Sequence, residues 1–317
     1  MEPRAGTAQP LSPAPADTLS GRLTHTLALA GILGISFSAI LVRQAGVSPG
    51  TAAFFRTAYA VPVLFAVWFL GRASDPRSPS TRLVAAGAGL FLAVDLTLWH
   101  HSIDLIGAGL ATVLANTQVA FVGLIAWLLY RERPTRLALL TIPIVFLGVA
   151  LISGLGRDDA FGDDPLGGVA FGVAAGLSYA GFLLVFRASS RDLAPPAGPL
   201  LDATAGAALG SLALAILDPD FSFTPSWPEH GWLLTLALVA QVMGWLLIAV
   251  ALPRLPALET SVLLLLQPMT TVLWASILFT ERLSPPQWAG VALVLGGVAA
   301  LSWRGSVERP ASAPAEP

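Results

Sequence analysis

Apolar residues dominate ten stretches of the chain, about 25–43, 50–70, 82–103, 107–130, 136–154, 165–187, 197–217, 232–252, 257–279 and 286–303. The segments between them are short and polar. Each stretch approaches or exceeds the roughly 20 apolar residues that a helix needs to cross the hydrocarbon of a bilayer. A soluble chain of this length would alternate polar and apolar positions instead. The pattern predicts an all-α membrane protein with ten transmembrane helices and the lipid bilayer as its solvent.

Composition agrees with that pattern. Over the full 317 residues, 55% are hydrophobic and 11% are charged, less than half of the roughly 25% found in soluble globular domains. Residues 1–24 open with MEPRAGTAQPLSPAPADTLS, rich in Pro, Ala and Ser, and are expected to form a disordered cytoplasmic tail; residues 304–317 are expected to form a second. No short apolar core precedes a cleavage site ahead of the first stretch, so no signal peptide is expected.

Charge placement orients the expected helices. All 17 basic residues are arginines, and thirteen of them, including Arg22, Arg72, Arg77, Arg82, Arg131, Arg133, Arg254 and Arg304, fall on one side of the ten-helix topology. Arg43, Arg157 and Arg282 fall on the other side, beside Asp158, Asp159, Asp163, Asp164, Asp218 and Asp220, while Arg56 lies within a stretch. Positive residues mark the cytoplasmic face. Both termini are therefore expected in the cytoplasm, as an even number of spans requires. The absence of lysine fits an arginine-favouring bacterial genome, and hence a multi-pass protein of a bacterial inner membrane. The absence of cysteine removes disulfides and thiolate metal sites.

One polar ending is written twice. Glu132-Arg133 closes the fourth stretch, and Glu281-Arg282 closes the ninth, 149 positions later. At the same offset and without a gap, residues 106–152 align with 255–301, setting Gln118 against Gln267. Polar matches at one offset carry the weight, because identities between Ala/Leu/Val-rich helices come cheaply. A looser echo joins GISFSA, from Gly34, to GLSYAG, from Gly176, which extends the repeat to five stretches in each of 25–154 and 155–303. Five is odd, so the second copy enters the membrane from the opposite face. The expected architecture is two inverted five-helix repeats around a central cavity.

The chain resembles the drug/metabolite transporter superfamily, specifically proteins with two EamA-like domains. The resemblance covers about residues 25–303. It rests on FFRTAY in the second stretch, DLTLWHHSI in the third, GLATVLANTQVAFVGLIAWLLYRERPT across the fourth and ETSVLLLLQPMTTVLWASILFTERLS across the ninth. It implies an exporter of small metabolites, such as amino acids, nucleosides or drug-like compounds, working through a cavity between the two halves. Its partners would be a small-molecule substrate and the bilayer, with a homodimer compatible and no nucleic acid.

Polar groups inside hydrocarbon are costly, so each needs an account. Gln118 and Gln267 occupy matching places in the repeats and are expected on opposite sides of the cavity; the alternative is that each amide bonds a neighbouring helix as packing glue. Asn116 lies about 200° around an unbroken helix from Gln118, so one of the two is expected to be structural. Gln241 is a further candidate. His100 could contact substrate or relay a proton, or could face water at the interface; with His101 and Asp104 it lacks a third helical ligand, so no metal is expected. Trp99 could stack on substrate or belong to an interfacial belt, and Tyr179 and Trp245 could line the cavity or pack the core. Arg56 and Asp95 are expected at nearly matching depths of roughly 9 and 12 Å, paired directly or through substrate or water because an unpaired charge there is expensive; the alternative is that Arg56 snorkels outward to lipid headgroups and Asp95 is protonated. The Glu-Arg endings, Glu132, Arg133, Glu281 and Arg282, are expected to be snorkelling interfacial pairs that stop helices and that could assist closure of one face or the other.

No GxxxxGK[ST] loop is present, so the chain itself is not expected to hydrolyse ATP, and no cofactor is expected. Alternating access driven by a gradient is the expected mechanism. An intramembrane enzyme using His100 with a serine, or a scaffold without transport, are the alternatives; neither calls for a five-plus-five repeat.

Overall fold

The structure, a computed structural model, describes residues 21–72, 75–130, 136–154, 159–189 and 195–307, and every regular element among them is helical. Helices α1 (Gly21–Ser36) and α2 (Ser38–Ala45) follow each other across a break at Phe37. The run ends at Gly46, whose φ of 60° is the left-handed conformation that glycine supplies at helix C-termini. Helix α3 (Pro49–Gly71) starts with proline in its first turn, and Ser48 Oγ accepts the Thr51 amide at 3.3 Å. Ser78 does the same for Thr81 at the start of α4 (Pro79–Ala115). Both starts satisfy amides that the helix cannot.

The 37 residues of α4 would reach roughly 55 Å as an unbroken helix, well beyond a hydrocarbon core of about 30 Å. Gly107, at φ 81° and ψ 169°, interrupts the helix there. A second break at Asn116 and Thr117 leads into α5 (Gln118–Tyr130), followed by α6 (Arg136–Ile152). The second half comprises α7 (Pro165–Ser189), α8 (Ala197–Ala215), α9 (Glu229–Leu236), a π-helix over Ala237–Gly244, α10 (Trp245–Ala251), a 3-10 turn Leu252–Arg254, α11 (Ala257–Leu278) and α12 (Pro285–Val307).

Seven helical runs among the described residues are long and apolar enough to cross a membrane: Gly21–Ala45, Pro49–Gly71, Pro79–Ala115, Pro165–Ser189, Ala197–Ala215, Glu229–Arg254 and Pro285–Ser302. Leu139–Ile152 and Val262–Leu278 are shorter apolar helices. The count differs from ten partly because the stretch 107–130 is divided: its first part continues α4, and the rest is the short α5. The surface carries apolar side chains outward, with Leu70 88%, Leu128 75% and Leu209 70% exposed, while Arg56, Asp95 and Gln241 are buried. Water disfavours that arrangement and lipid favours it.

The two halves share their largest interfaces. Helix α4 packs on α7 and α8, α3 packs on α8, and α6 packs on α12, so every one of these contacts joins residues 25–154 to residues 155–303. At the α4–α8 crossing, a Cβ on Gly89 would run into the carbonyl oxygen of Ala203, and a Cβ on Gly206 into that of Ala86. Small residues there let the two backbones meet.

Gly21, Arg254 and Glu259 share one end of the molecule; Arg43, Gly107 and Glu281 share the other. At the first end, Asp75 accepts the Nε and Nη2 protons of Arg77, each at 2.8 Å, and the Trp68 Nε1 proton at 2.8 Å. Arg77 Nη1 lies 2.8 Å from Asp202 on α8, and Arg82 Nη2 3.0 Å from the same carboxylate. The hydrogen-bonded Arg77 guanidinium holds the Asp75 carboxyl well below the usual carboxylate range.

Candidate functional site

A cavity of about 350 Å3 lies between the helices of both halves. Arg56 from α3, Asp95 and Trp99 from α4, Asn116 from the break after α4, Gln118 from α5, Tyr179 from α7, Trp245 from α10 and Gln267 from α11 all border it. Polar groups of this kind in an otherwise apolar pocket are what fixes the orientation of a small ligand.

Arg56 and Asp95 do not meet. No ion pair joins them among the described residues; instead Arg56 Nε donates to Gln241 Oε1 at 3.1 Å and Nη1 donates to Ser38 Oγ at 2.9 Å. The guanidinium is thus held toward the π-helix and α2, with its carbon 5.7 Å from the centre of the Trp99 ring. Its Nη2 and the Asp95 carboxylate have no hydrogen-bond partner among the described residues, and both residues border the cavity. Of the pairing expected directly or through substrate or water, the direct ion pair does not form among the described residues, and the two ionisable groups face a shared space.

Gln241 is fully buried and does not border the cavity. Its Nε2 donates to Thr204 Oγ1 at 3.2 Å, so it is a bridge from α8 to Arg56 and not a wall residue. His100 also leaves the cavity: it is fully buried, with Nδ1 3.3 Å from the Pro49 carbonyl oxygen and its ring against Trp99. The ring is enclosed because α4 turns it into the contact with the start of α3. His101 bonds back to Thr97 at 2.8 Å and stacks on Phe171. Among the described residues no group of three His, Cys, Asp or Glu is placed to hold a metal ion.

Gln118 and Gln267 come to the same cavity from α5 and α11, and Gln118 Oε1 is enclosed without a partner among the described residues. Asn116 borders it too, although 200° of helix should separate it from Gln118. The helix breaks between them, so the angular rule does not carry across; Asn116 Nδ2 donates to the Thr112 carbonyl at 2.8 Å. Tyr179 and Trp245 meet edge to face at 6.4 Å, with Phe182 behind both. They pack the core and present a wall at once.

A sequence profile of the EamA-like transporter family matches residues 22–154 and again 166–303. The chain belongs to that family. It is similar to the uncharacterized transporter YwfM of Bacillus subtilis (strain 168), at 26% identity over 241 residues, 76% of this chain and 79% of the relative. It is also similar to the uncharacterized transporter sll1319 of Synechocystis, at 27% identity over 222 residues, 69% of this chain and 66% of the relative. A solved structure titled "Crystal structure of protein" covers 92% of this chain and 100% of its own with a TM-score of 0.58 and 19% identity, a likeness of fold alone. The two profile matches show that this EamA-like chain carries two repeats of a membrane transporter.

Of the two Glu-Arg endings of this EamA-like protein, the second lies among the described residues. Glu132 and Arg133 lie outside the described residues. Arg282 is exposed, whereas Glu281 is buried and turned inward, pairing with Arg43 and accepting the amides of Ala108 at 2.8 Å and Gly109 at 3.1 Å. An interfacial pair pointing into water is therefore not what forms at this end: three donors inside the protein compete for the carboxylate and hold it. Sequence reasoning also passed over Thr204 and Gln287, and Ser38, expected only to let helices approach closely, holds the Arg56 guanidinium. Gln287 Oε1 accepts the Phe161 amide at 2.8 Å, and its Nε2 donates to the Ile152 and Phe161 carbonyls. The signal for Gln287 was a buried amide in the last apolar stretch; for Ser38 and Thr204, small hydroxyl residues in spans, no signal set them apart.

Proposed function

We propose that this chain is a secondary transporter that exports small molecules bearing both an anionic and a cationic group, by alternating access through the cavity. The observation that carries this is the pair of ionisable groups facing one enclosed space: Arg56, fixed on one edge by Gln241 and Ser38 with Nη2 left over, and Asp95 without a hydrogen-bond partner among the described residues. A substrate with opposite charges would complete both, and Trp99, Tyr179 and Trp245 would cover its apolar part. Gln118 and Gln267 would read its hydrogen-bonding groups. Ten spans in two inverted repeats, with the Gly21 end at the cytoplasmic face of a bacterial inner membrane, is the topology we assign, on the 149-residue offset and the arginine distribution. The shared interfaces α4–α7, α4–α8 and α6–α12 favour moving units that cut across the repeats. A gradient, or that of the substrate itself, would drive export.

Proteoliposomes holding the purified chain and a preloaded panel of amino acids, nucleosides and cationic drugs test the reading. Release of a charged, amphoteric member faster than from protein-free vesicles, lost with Asp95→Asn, is the expected result. Rates equal to protein-free vesicles across the panel, in both vesicle orientations, would reject it. Resistance of overexpressing cells to a toxic member of the panel would fix the direction.

A further inference from the structure

We infer that Glu281, Arg43 and the start of the helical segment after Gly107 form a gate that closes one end of the cavity; the inference rests on the proposed transport through that cavity. The cavity is bordered by Leu252 and Ser302, in the last turns at the Gly21 end. At the opposite end, neither Arg43, Gly107 nor Glu281 borders it. What stands there instead is a set of polar contacts drawn from α2, α4 and the segment after α11. Glu281 Oε1 accepts from Arg43 Nη1 at the end of α2 and from the Ala108 amide at 2.8 Å; Oε2 accepts the Gly109 amide at 3.1 Å. The carboxylate thus caps a helix that Gly107 has broken, satisfying donors with no partner within the helix.

Both sides of this contact are built around unusual backbone. Gly107, at φ 81°, brings the chain so close that a Cβ there would strike the Glu281 carboxylate. Thr280, at φ 56°, is a β-branched residue in the left-handed region, and it turns Glu281 inward after α11 ends. Strain of this kind persists where surrounding contacts hold it and concentrates at switch regions. The contact also suits being made and remade. Arg43 is one-third exposed and lies over the Phe279 ring at 4.6 Å, so its guanidinium keeps an alternative partner and access to water when the carboxylate leaves. The bond runs between repeats, from the end of α11 to α2 and α4, and it is polar. Withdrawal of Glu281 would let water take its place at the two amides and open the cavity at this end.

The natural absence of cysteine allows a direct test. Thr112 borders the cavity one turn beyond Ala108, and Thr112→Cys places a single thiol there; Asn116→Cys is a second reporter should the first misfold. A membrane-impermeant maleimide is applied to sorted vesicles of either orientation. With the gate intact, labelling is fast from the Gly21 end and slow from the Glu281 end. Arg43→Gln and Glu281→Gln, each separately, should raise labelling from the Glu281 end at least fivefold, while Glu281→Asp keeps it slow. Arg43→Gln leaves the helix cap in place, so it reports on the gate even if Glu281→Gln fails to fold. Unchanged labelling from the Glu281 end in folded Arg43→Gln and Glu281→Gln proteins would overturn the gate. Faster labelling in these variants without flux of any panel compound would uphold the gate and reject the proposed transport; labelling from neither end in any variant would reject both.

Discussion

Gln241 Oε1 accepts the Nε proton of Arg56 at 3.1 Å from a residue that does not itself border the cavity. Gln241 sits inside the π-helix Ala237–Gly244, whose wider turn carries one extra residue per loop of hydrogen bonding and is frequent at functional sites. Thr204 anchors the other end of its amide. The consequence is an arginine pinned in one orientation by a residue behind it.

Gln241→Leu removes the acceptor and leaves a buried charged donor unpaired, a loss on the order of 1.5–3 kcal/mol. The apparent KM should rise about tenfold or more, with membrane yield within about twofold and the maximal rate less affected. Gln241→Glu, which keeps an acceptor, should retain more affinity. An unchanged KM in Gln241→Leu would remove this residue from the positioning of Arg56.

Gln118→Leu and Gln267→Leu should each impair flux without preventing insertion, because losing a single interhelical amide costs a membrane fold only about 0.6 kcal/mol. Flux and detergent-extracted yield measured side by side separate the two roles. Full flux in both single variants would leave Gln118 and Gln267 as packing residues.

Asp75 supplies a pH prediction at the Gly21 end. Its carboxyl is held below its ordinary value by Arg77, so the folded chain binds this proton less readily than the unfolded one. The resulting stability is present above the unfolded value near ~3.9 and is lost as pH falls through the folded value. Thermal unfolding in detergent should show a falling midpoint on acidification below about pH 4, and Asp75→Asn should lower the midpoint at neutral pH while flattening that acid limb. An acid limb of the same slope in the variant would show that other carboxylates set it.

Gly206→Val should separate α8 from α4, since even a Cβ at this position meets the Ala86 carbonyl. Overpacking of this kind costs about 1–3 kcal/mol. A lowered unfolding midpoint is expected, and an unchanged one would mean that the crossing can widen freely.

Much of this was legible in the residues, and what was not has a physical reason. Apolar runs and arginine placement announce membrane helices because hydrocarbon tolerates little else, and the offset joining Gln118 to Gln267 announces a repeat. Both glutamines and Asp95 could be named because a polar side chain in such a run is conspicuous. Direction of the side chain was not legible. Gln241 and His100 look like Gln118 and Asp95 in the sequence, yet the former two are turned behind the wall by the π-helix and by the contact with Pro49. The pairing of Arg43 with Glu281 spans 238 positions, and no local pattern encodes such a distance. The break at Asn116 and Thr117 defeated the angular argument for Asn116 because periodicity assumes a continuous helix.

The interleaving of the halves bears on how the chain is made. Helix α4 finds its packing surfaces on α7 and α8, and α6 finds its own on α12, so the early helices leave the ribosome before their partners exist. About 100 residues separate the end of α4 from the end of α8, which at 5–20 residues per second is roughly 5–20 s of synthesis. During that interval the small-residue face around Gly89 stands open to lipid or to whatever insertion factor shelters it. A chain stopped after residue 154 would remain in that condition.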